Sequence, residues 1–296
     1  MKIIICICTY KRNEQLIKLI KSIDAINYKD IKIKKLIVDN FTESNCLRIL
    51  YENNVRNFYY FIENNKGLSN ARNRALTEVK KYDFDYCIFL DDDQVVAENW
   101  LEEMINSLNS NNSDIVKGNV IYFSNINKRE RNSKVKLLYP ENNLKDGENI
   151  GYCGLGNTIM KKKVINEGIF FDSRFNYIGG EDTDFFLKLH NLGYKISYSE
   201  RGIVYEEIGI DRLTTNYILK RNFIAGFSYL SVINDKSLKF KFKQVAKSIC
   251  KLVASLILLV LFNILIKKYS VKYLKKVFQS FGEFWYLLDL NVKGIY

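Results

Sequence analysis

The strongest constraint on the fold is an alternation. Over roughly the first third of the 296-residue chain, short and almost purely apolar runs alternate with helical stripes. Lys2–Cys8 is nearly continuous in isoleucine and cysteine, as a strand buried on both faces requires. Asn13–Ile23 follows with Leu16, Leu19, Ile20 and Ile23 at helical spacing. Leu36-Ile37-Val38 reads as a second strand, Glu43–Asn53 as a helix and Phe58–Ile62 as a third strand. The turn Asn64-Asn65-Lys66-Gly67 leads into a helix over Ser69–Val79, with Ala71, Ala75 and Val79 on one side. Tyr86–Leu90 is a fourth strand, and Trp100, Leu101, Met104, Ile105 and Leu108 mark the next helix. Strands joined by helical crossovers pair in parallel, so the fold class is α/β with a mainly parallel central sheet. No internal repeat is visible. At 47% hydrophobic residues the chain can bury a full core, as one large domain plus an appendage or as two small domains.

A parallel sheet delivers the C-terminal end of every strand to one edge, where ligands bind. The residues delivered here are Thr9-Tyr10-Lys11-Arg12, Asp39-Asn40, Asn64-Asn65-Lys66 and Asp91-Asp92-Asp93. The aspartate triplet is the sharpest of them. Adjacent carboxylates repel, and burial penalises their ionised forms unless a cation is present. A hard divalent ion shared with substrate phosphates is one partner. A solvated acidic turn or a helix cap is the alternative, since Asp caps helices well. The whole edge suits a nucleotide: carboxylates accept from base or ribose donors, while Arg12, Lys66 and Arg72 offset phosphate charge.

Other classes are excluded or weakened. No glycine fingerprint of a dinucleotide site follows the first strand, and no Gly-Lys-Ser/Thr phosphate loop occurs anywhere. His190 is the single histidine and lies beside a helical apolar stripe, which argues against a histidine triad or multi-histidine metal site. The six cysteines have no zinc-site spacing and read as reduced packing residues in a cytosolic compartment. Met1-Lys2-Ile3 opens directly into a strand, so no signal peptide is expected there.

A second carboxylate cluster, Gly179-Gly180-Glu181-Asp182-Thr183-Asp184, starts a helix whose apolar face is Phe185, Phe186 and Leu189. The glycines permit close backbone approach to a ligand, and the acids also suit the helix dipole. Gly151–Asn157 is glycine-rich and reads either as a phosphate cradle or as a tight loop before a strand at Thr158–Met160. The charge run Lys128–Asn132 reads as a solvated loop, with a mobile acceptor loop as the alternative.

Taken in order, Ile7–Arg12, Leu36–Asn40, Asn65–Asn73, Phe89–Asp93 and Gly180–Phe185 resemble the motifs of family 2 glycosyltransferases with the GT-A fold. Each motif is weak alone; the ordered set covers about the first 215 residues. The resemblance implies a glycosyltransferase domain over 1–215 and an inverting transfer from a nucleotide-sugar, a UDP-sugar by family prevalence. The expected acceptor is a cell-surface polysaccharide or glycolipid. Thr9, Asp39 and Arg72 would contact the nucleotide and Asp91 the ribose. Tyr10, Arg12, Asn65, Lys66, Gly67 and Asp92, from the same motifs, complete the donor-binding set. Asp182, with Glu181 beside it, would be the catalytic base, and Asp93 would bind Mg²⁺ or Mn²⁺. Relatives often carry a histidine where Ile203-Val204-Tyr205-Glu206 places Glu206. A carboxylate ligates the same ions, so Glu206 is a candidate second metal ligand. Three alternatives stay open: a non-catalytic relative, a phosphatase through Asp91-Asp92-Asp93-Gln94-Val95, and a nucleic-acid binder through the basic charge.

That charge is uneven. Of the net +12, Lys236–Tyr296 carries +10, from twelve lysines against Glu283 and Asp289. Lys243, Lys247 and Lys251 form a helical stripe, and Leu252–Ile266 is almost wholly apolar. A second apolar stretch runs over Val277–Leu290 with Phe281, Phe284, Trp285 and Tyr286. Lysines beside apolar runs favour an anionic membrane surface over nucleic acid. The expectation for 216–296 is therefore a helical segment associated with the cytoplasmic face of the membrane, peripheral, monotopic or briefly spanning. A buried soluble helix is the alternative.

Overall fold

The computed structural model describes residues 1–26, 30–124, 128–140, 143–233, 238–266, 271–288 and 290, without the side chains of 128–132, 238–242 and 262–266. In chain order the elements are β1 (Lys2–Thr9), α1 (Asn13–Asp24), β2 (Lys32–Asp39), α2 (Cys46–Glu52), β3 (Phe58–Ile62), α3 (Leu68–Val79), β4 (Tyr86–Asp91), β5 (Gln94–Val96) and α4 (Trp100–Ser110). They continue with β6 (Ile115–Phe123), α5 (Lys128–Leu138), β7 (Thr158–Lys161), α6 (Lys162–Asn166), α7 (Glu181–Asn191), β8 (Ile196–Glu207), α8 (Thr215–Ile233), α9 (Leu238–Ile266) and α10 (Val271–Leu287).

Among the described residues, eight strands form one sheet in the order β3-β2-β1-β4-β7-β6-β8-β5. Its first four strands are all parallel, as the sequence pattern requires. The register sets Thr9 beside Asp39 and Cys8 beside Asp91, so the polar residues of three strand ends do reach one edge. Beyond β4 the sheet becomes mixed: β7 runs antiparallel to β4 and β6, β6 is parallel to β8, and β5 is antiparallel to β8. Strict alternation divides β1 between two cores. Ile3, Ile5 and Ile7 pack with residues of α1 and α4; Ile4 and Cys6 pack with residues of α3 and α7.

Several bounds differ from the sequence reading. The second strand begins at Lys32, not Leu36, because Lys35, 2% exposed, is neutralised by Asp24 at 2.5 Å. A helix was expected over Glu43–Asn53 but spans only Cys46–Glu52. The charge run Lys128–Asn132 belongs to helix α5, not to a loop. The nine-residue strand β6 carries no clean periodicity and was not anticipated.

The chain divides into two compact units: Met1–Phe123, Asn142–Asn176 and Glu181–Glu207 in one, Ser124–Glu141, Tyr177–Gly180 and Ile208–Tyr296 in the other. The second unit is helical. α8 and α10 cross at Gly226 and Gly282, where an added Cβ on either would collide with a backbone carbonyl, of Gln279 or Phe223. Phe223–Trp285 and Phe227–Tyr286 pack edge to face beside the crossing. α9 joins α10 through Glu283, which accepts from Ser248 Oγ and, at 2.7 Å, from Lys251 Nζ. Lys236, Lys267, Lys268, Asp289 and Lys293 lie outside the described residues.

Candidate active site

Two arginines organise the carboxylates at the sheet edge. Arg12, just beyond β1, donates through Nη1 to Asp92 Oδ1 at 3.0 Å and Asp93 Oδ2 at 2.7 Å. Thr9 Oγ1 donates to the other Asp92 oxygen at 2.8 Å. Burial pushes Asp92 up to about 6 against the pull of Arg12. Arg72, on α3, donates to Glu181 Oε1 at 2.7 Å and Asp182 Oδ1 at 2.5 Å, and lies 3.8 Å from Asp91. Burial works against the Arg72 charge, but Asp182, Glu181 and Asp91 outweigh it and raise its pKa. The triplet of aspartates is therefore met by two cations, Arg12 just before α1 and Arg72 within α3.

Asp182 sits in the first turn of α7 and has both oxygens engaged. Oδ1 accepts from Arg72 and Oδ2 from the Leu155 N–H at 2.9 Å. Burial raises its pKa to about 6, with Arg72 opposing and Glu181 adding to the rise. A carboxyl group poised there can exchange a proton near neutrality, as a general base needs.

A third group forms around the end of β2. Asp39, 1% exposed, accepts from Tyr60 Oη at 2.8 Å and from the Phe41 N–H at 3.0 Å. Asn40 ties the neighbouring loop together: its Nδ2 donates to the Glu63 and Asn65 carbonyls and its Oδ1 accepts from the Gly67 N–H. Tyr10 and Phe41 meet edge to face at 5.8 Å, with Lys11 4.1 Å above Phe41 and Lys66 5.3 Å above Tyr10. The exposed Tyr10 and half-buried Phe41, flanked by Lys11 and Lys66, offer a place for a base next to phosphate charge.

Two organising residues were missed in the sequence. Gln94, 1% exposed on β5, donates towards Asp91 Oδ2 at 3.5 Å and Glu206 Oε2 at 3.4 Å, and accepts from the Asp91 N–H. Its strand register places it opposite Glu206. Asn157, at φ +59°, accepts from Trp100 Nε1 at 2.7 Å and donates to the Asn119 and Gly202 carbonyls. Its position closing the Gly151–Asn157 run was the available signal, since Asn tolerates that backbone region.

Among the described residues no three of His, Cys, Asp and Glu converge as a ready metal cage. Asp93 is held by Arg12 and Glu206 by Gln94. The donor set is nevertheless all hard oxygen. Mg²⁺ commonly takes only one or two carboxylates, completing its shell with water and substrate phosphates, so these residues fit such an ion.

Comparison with known proteins follows the same line. The model of the family "Glycosyl transferase family 2" matches residues 4–169. The succinoglycan biosynthesis protein ExoM of Rhizobium meliloti is 27% identical over 241 residues, covering 78% of this chain and 75% of that protein. A cholesterol galactosyltransferase of Borreliella burgdorferi is 29% identical over 211 residues, covering 70% of this chain but only 53% of its own length. Residues 1–349 of S. aureus TarS superpose with a TM-score of 0.54 at 15% identity, covering 98% of this chain and 92% of that one. The same protein solved with UDP-GlcNAc gives 0.53 at 14% identity. At such identity the likeness speaks for the fold alone, and the fold it speaks for is GT-A.

Proposed function

The chain belongs to glycosyl transferase family 2, and from that premise we propose an inverting transfer of a sugar from a UDP-sugar to a saccharide or glycolipid acceptor. The observation that carries the reading is Asp182, held on both oxygens at the sheet edge with its pKa lifted to about 6. In this role Asp182 takes the proton of the acceptor hydroxyl as that oxygen attacks the anomeric carbon. The bond to the nucleoside diphosphate breaks on the opposite face in a single displacement, which inverts the configuration. Arg72 keeps Asp182 oriented, while Arg12 and Lys66 supply positive charge for the diphosphate. Asp91 serves the ribose, and the Tyr10–Phe41 corner with Thr9, Asp39, Asn65, Gly67 and Asp92 frames the nucleotide. Asp93 and Glu206 would hold Mg²⁺ or Mn²⁺, which when bound would offset charge on the departing diphosphate. The UDP and UDP-GlcNAc complexes of the TarS fold relative support the choice of nucleotide. The names of the succinoglycan and cholesterol-galactoside relatives support saccharide and lipid acceptors.

The reading includes a place for the reaction, the cytoplasmic face of an anionic membrane. Lys243–Leu261 is long and apolar enough to cross a bilayer by length and composition, with a mean hydropathy of 1.9. Residues 216–296 would then be the membrane-associating region and 1–215 the transferase domain. A panel of nucleotide-sugars, assayed for nucleotide release and sugar transfer with and without Mn²⁺, tests the proposal. Transfer from a UDP-sugar with inverted linkage supports it; nucleotide binding without turnover on any donor favours the non-catalytic reading, and phosphoester hydrolysis dependent on Asp91 favours the phosphatase.

A further inference from the structure

Lys117 has no part in the donor, base or metal assignments, yet it occupies the centre of the site. It lies on β6, paired with Thr158 of β7, which in turn pairs with Phe89 of β4. Strand alternation sets it on the sheet face of Ile115, two residues nearer the edge that carries Asp91. Its ammonium donates to the Gly156 carbonyl. Asp91, Asp182 and Glu206, contributed by β4, α7 and β8, and Cys153 are near enough to act on its charge. Burial draws its pKa down, and these four groups hold it up.

Each residue from Gly154 to Asn157, around the carbonyl that Lys117 grips, has a close neighbour or partner. Gly154 O accepts from Thr158 Oγ1 at 3.1 Å. The Leu155 N–H reaches Asp182 Oδ2 at 2.9 Å. Gly156 lies so close to Asp91 that a Cβ would collide with the carboxylate, which is why glycine stands there. Asn157 anchors the far end through Trp100, Asn119 and Gly202. Between the Thr158 and Asn157 anchors, the central carbonyl has Lys117 as its side-chain partner. Without that cation the Gly156 carbonyl would lose its donor, and Asp91, Asp182 and Glu206 would face each other with one less positive charge.

We propose that Lys117 is a positioning residue for glycosyl transfer: by holding the Gly156 carbonyl it keeps the Leu155 N–H aimed at Asp182 and the loop seated against Asp91. This rests on Asp182 being the base. The test uses full-length wild type, Lys117→Met and Lys117→Arg. Each is assayed for nucleotide release from UDP-glucose, UDP-galactose and UDP-GlcNAc over a pH range bracketing 6, and for UDP affinity by calorimetry. Backbone hydrogen exchange at Leu155 supplies a readout independent of turnover. For Lys117→Met, kcat should fall about 10²-fold, as for a slightly misplaced catalytic group. UDP affinity should change little, and the Leu155 amide should exchange faster. The acid limb of kcat should move to higher pH, because Asp182 loses a nearby cation while Arg72, Glu181 and Asp91 stay in place. Lys117→Arg should restore most of kcat and return the limb. Undiminished kcat in Lys117→Met, unchanged Leu155 exchange, or a loss confined to UDP affinity each overturn the proposal. Should Lys117→Met not fold, Lys117→Gln is read by the same outcomes. Wild-type turnover in Asp182→Asn is a separate result and removes the base assignment itself.

Discussion

Strand β1 and helix α9 are both rich in isoleucine, leucine and valine, and they treat those residues in opposite ways. In β1, Ile3, Ile4, Ile5 and Ile7 are all within 2% of full burial, and polar residues gather at the strand's end. In α9 the buried described residues are Ser248 and Ser255, while Val253, Ile257 and Val260 are each about half exposed. Ser248 of α9 faces α10 through Glu283, whereas Val253, Ile257 and Val260 face outward. That inversion is what the proposed membrane association of α9 requires: burying apolar area drives packing in water, whereas in hydrocarbon small residues and hydrogen bonds join helices. Lys243, Lys247 and Lys251 are exposed on a helix without a single Asp or Glu, so a negatively charged headgroup layer meets no like charge there. Glu283, the acid that α9 does meet, is 2% exposed and already paired with Lys251.

The contrast can be broken by substitution. The largest effect is expected at the edge that β1 leads to. Asp182→Asn keeps the shape of the side chain and one of its two accepted hydrogen bonds but lacks the proton affinity. Turnover should fall about 10²–10⁴-fold with UDP affinity retained; stopped-flow or steady-state nucleotide release checks this, and unchanged turnover would exclude Asp182 as the base. Next in size is a matched pair of truncations. Ile7→Ala should cost about 2–5 kcal/mol of folding stability in denaturant melts. Ile257→Ala, on the outward face of α9, should change it by no more than about 0.5 kcal/mol. Equal losses at both sites would mean that α9 is ordinary core.

A smaller effect is expected from charge alone. Replacing Lys243 and Lys247 with Gln should weaken flotation with phosphatidylserine vesicles by about 1 kcal/mol per lysine, less at high salt, and leave neutral vesicles nearly unaffected. A DNA shift assay on the same variants separates lipid from nucleic-acid binding: loss of tight DNA binding, with no vesicle binding in wild type, would reverse the membrane reading. The subtlest test is pH. A carboxyl raised to about 6 is protonated below that value and cannot act as a base, so kcat/KM, which follows the free enzyme, should rise with pH through about 6 and then level. A profile flat from pH 5 upward, by about one unit below the limb, would detach catalysis from Asp182.

Much of the first unit was legible in the residues. Apolar runs between helical stripes predicted β1, β3, β4, α1, α3 and α4 closely: β1 and β4 are buried on both faces and carry a strong local signal, and half-exposed β3 is an unbroken aromatic and isoleucine run. The arithmetic of parallel strands also brought Thr9, Asp39 and Asp91 to one edge before any coordinates. The lysine-rich start of β2 was hidden because Lys35 is paid for by Asp24, a partner eleven residues away. β6 and β8 were hidden because each is partly exposed and irregular, with a register shift between Gly118 and Val120.

The sequence by itself determined the kinds of groups at the site: acids, two arginines, lysines and a glycine loop, in an order that local chemistry makes hard to read otherwise. Only the tertiary structure decided who holds whom. That Arg12 takes Asp92 and Asp93, that Arg72 takes Asp182, and that Gln94 takes Glu206 are pairings across spans of 80 to 112 residues. Such partners leave no periodicity behind, because a hydrogen bond depends on where two side chains end up and not on how far apart they lie along the chain. The same is true of α9. Its composition announced an apolar, basic helix, but which face it turns inward was settled by the Ser248–Glu283 contact and the packing of α10.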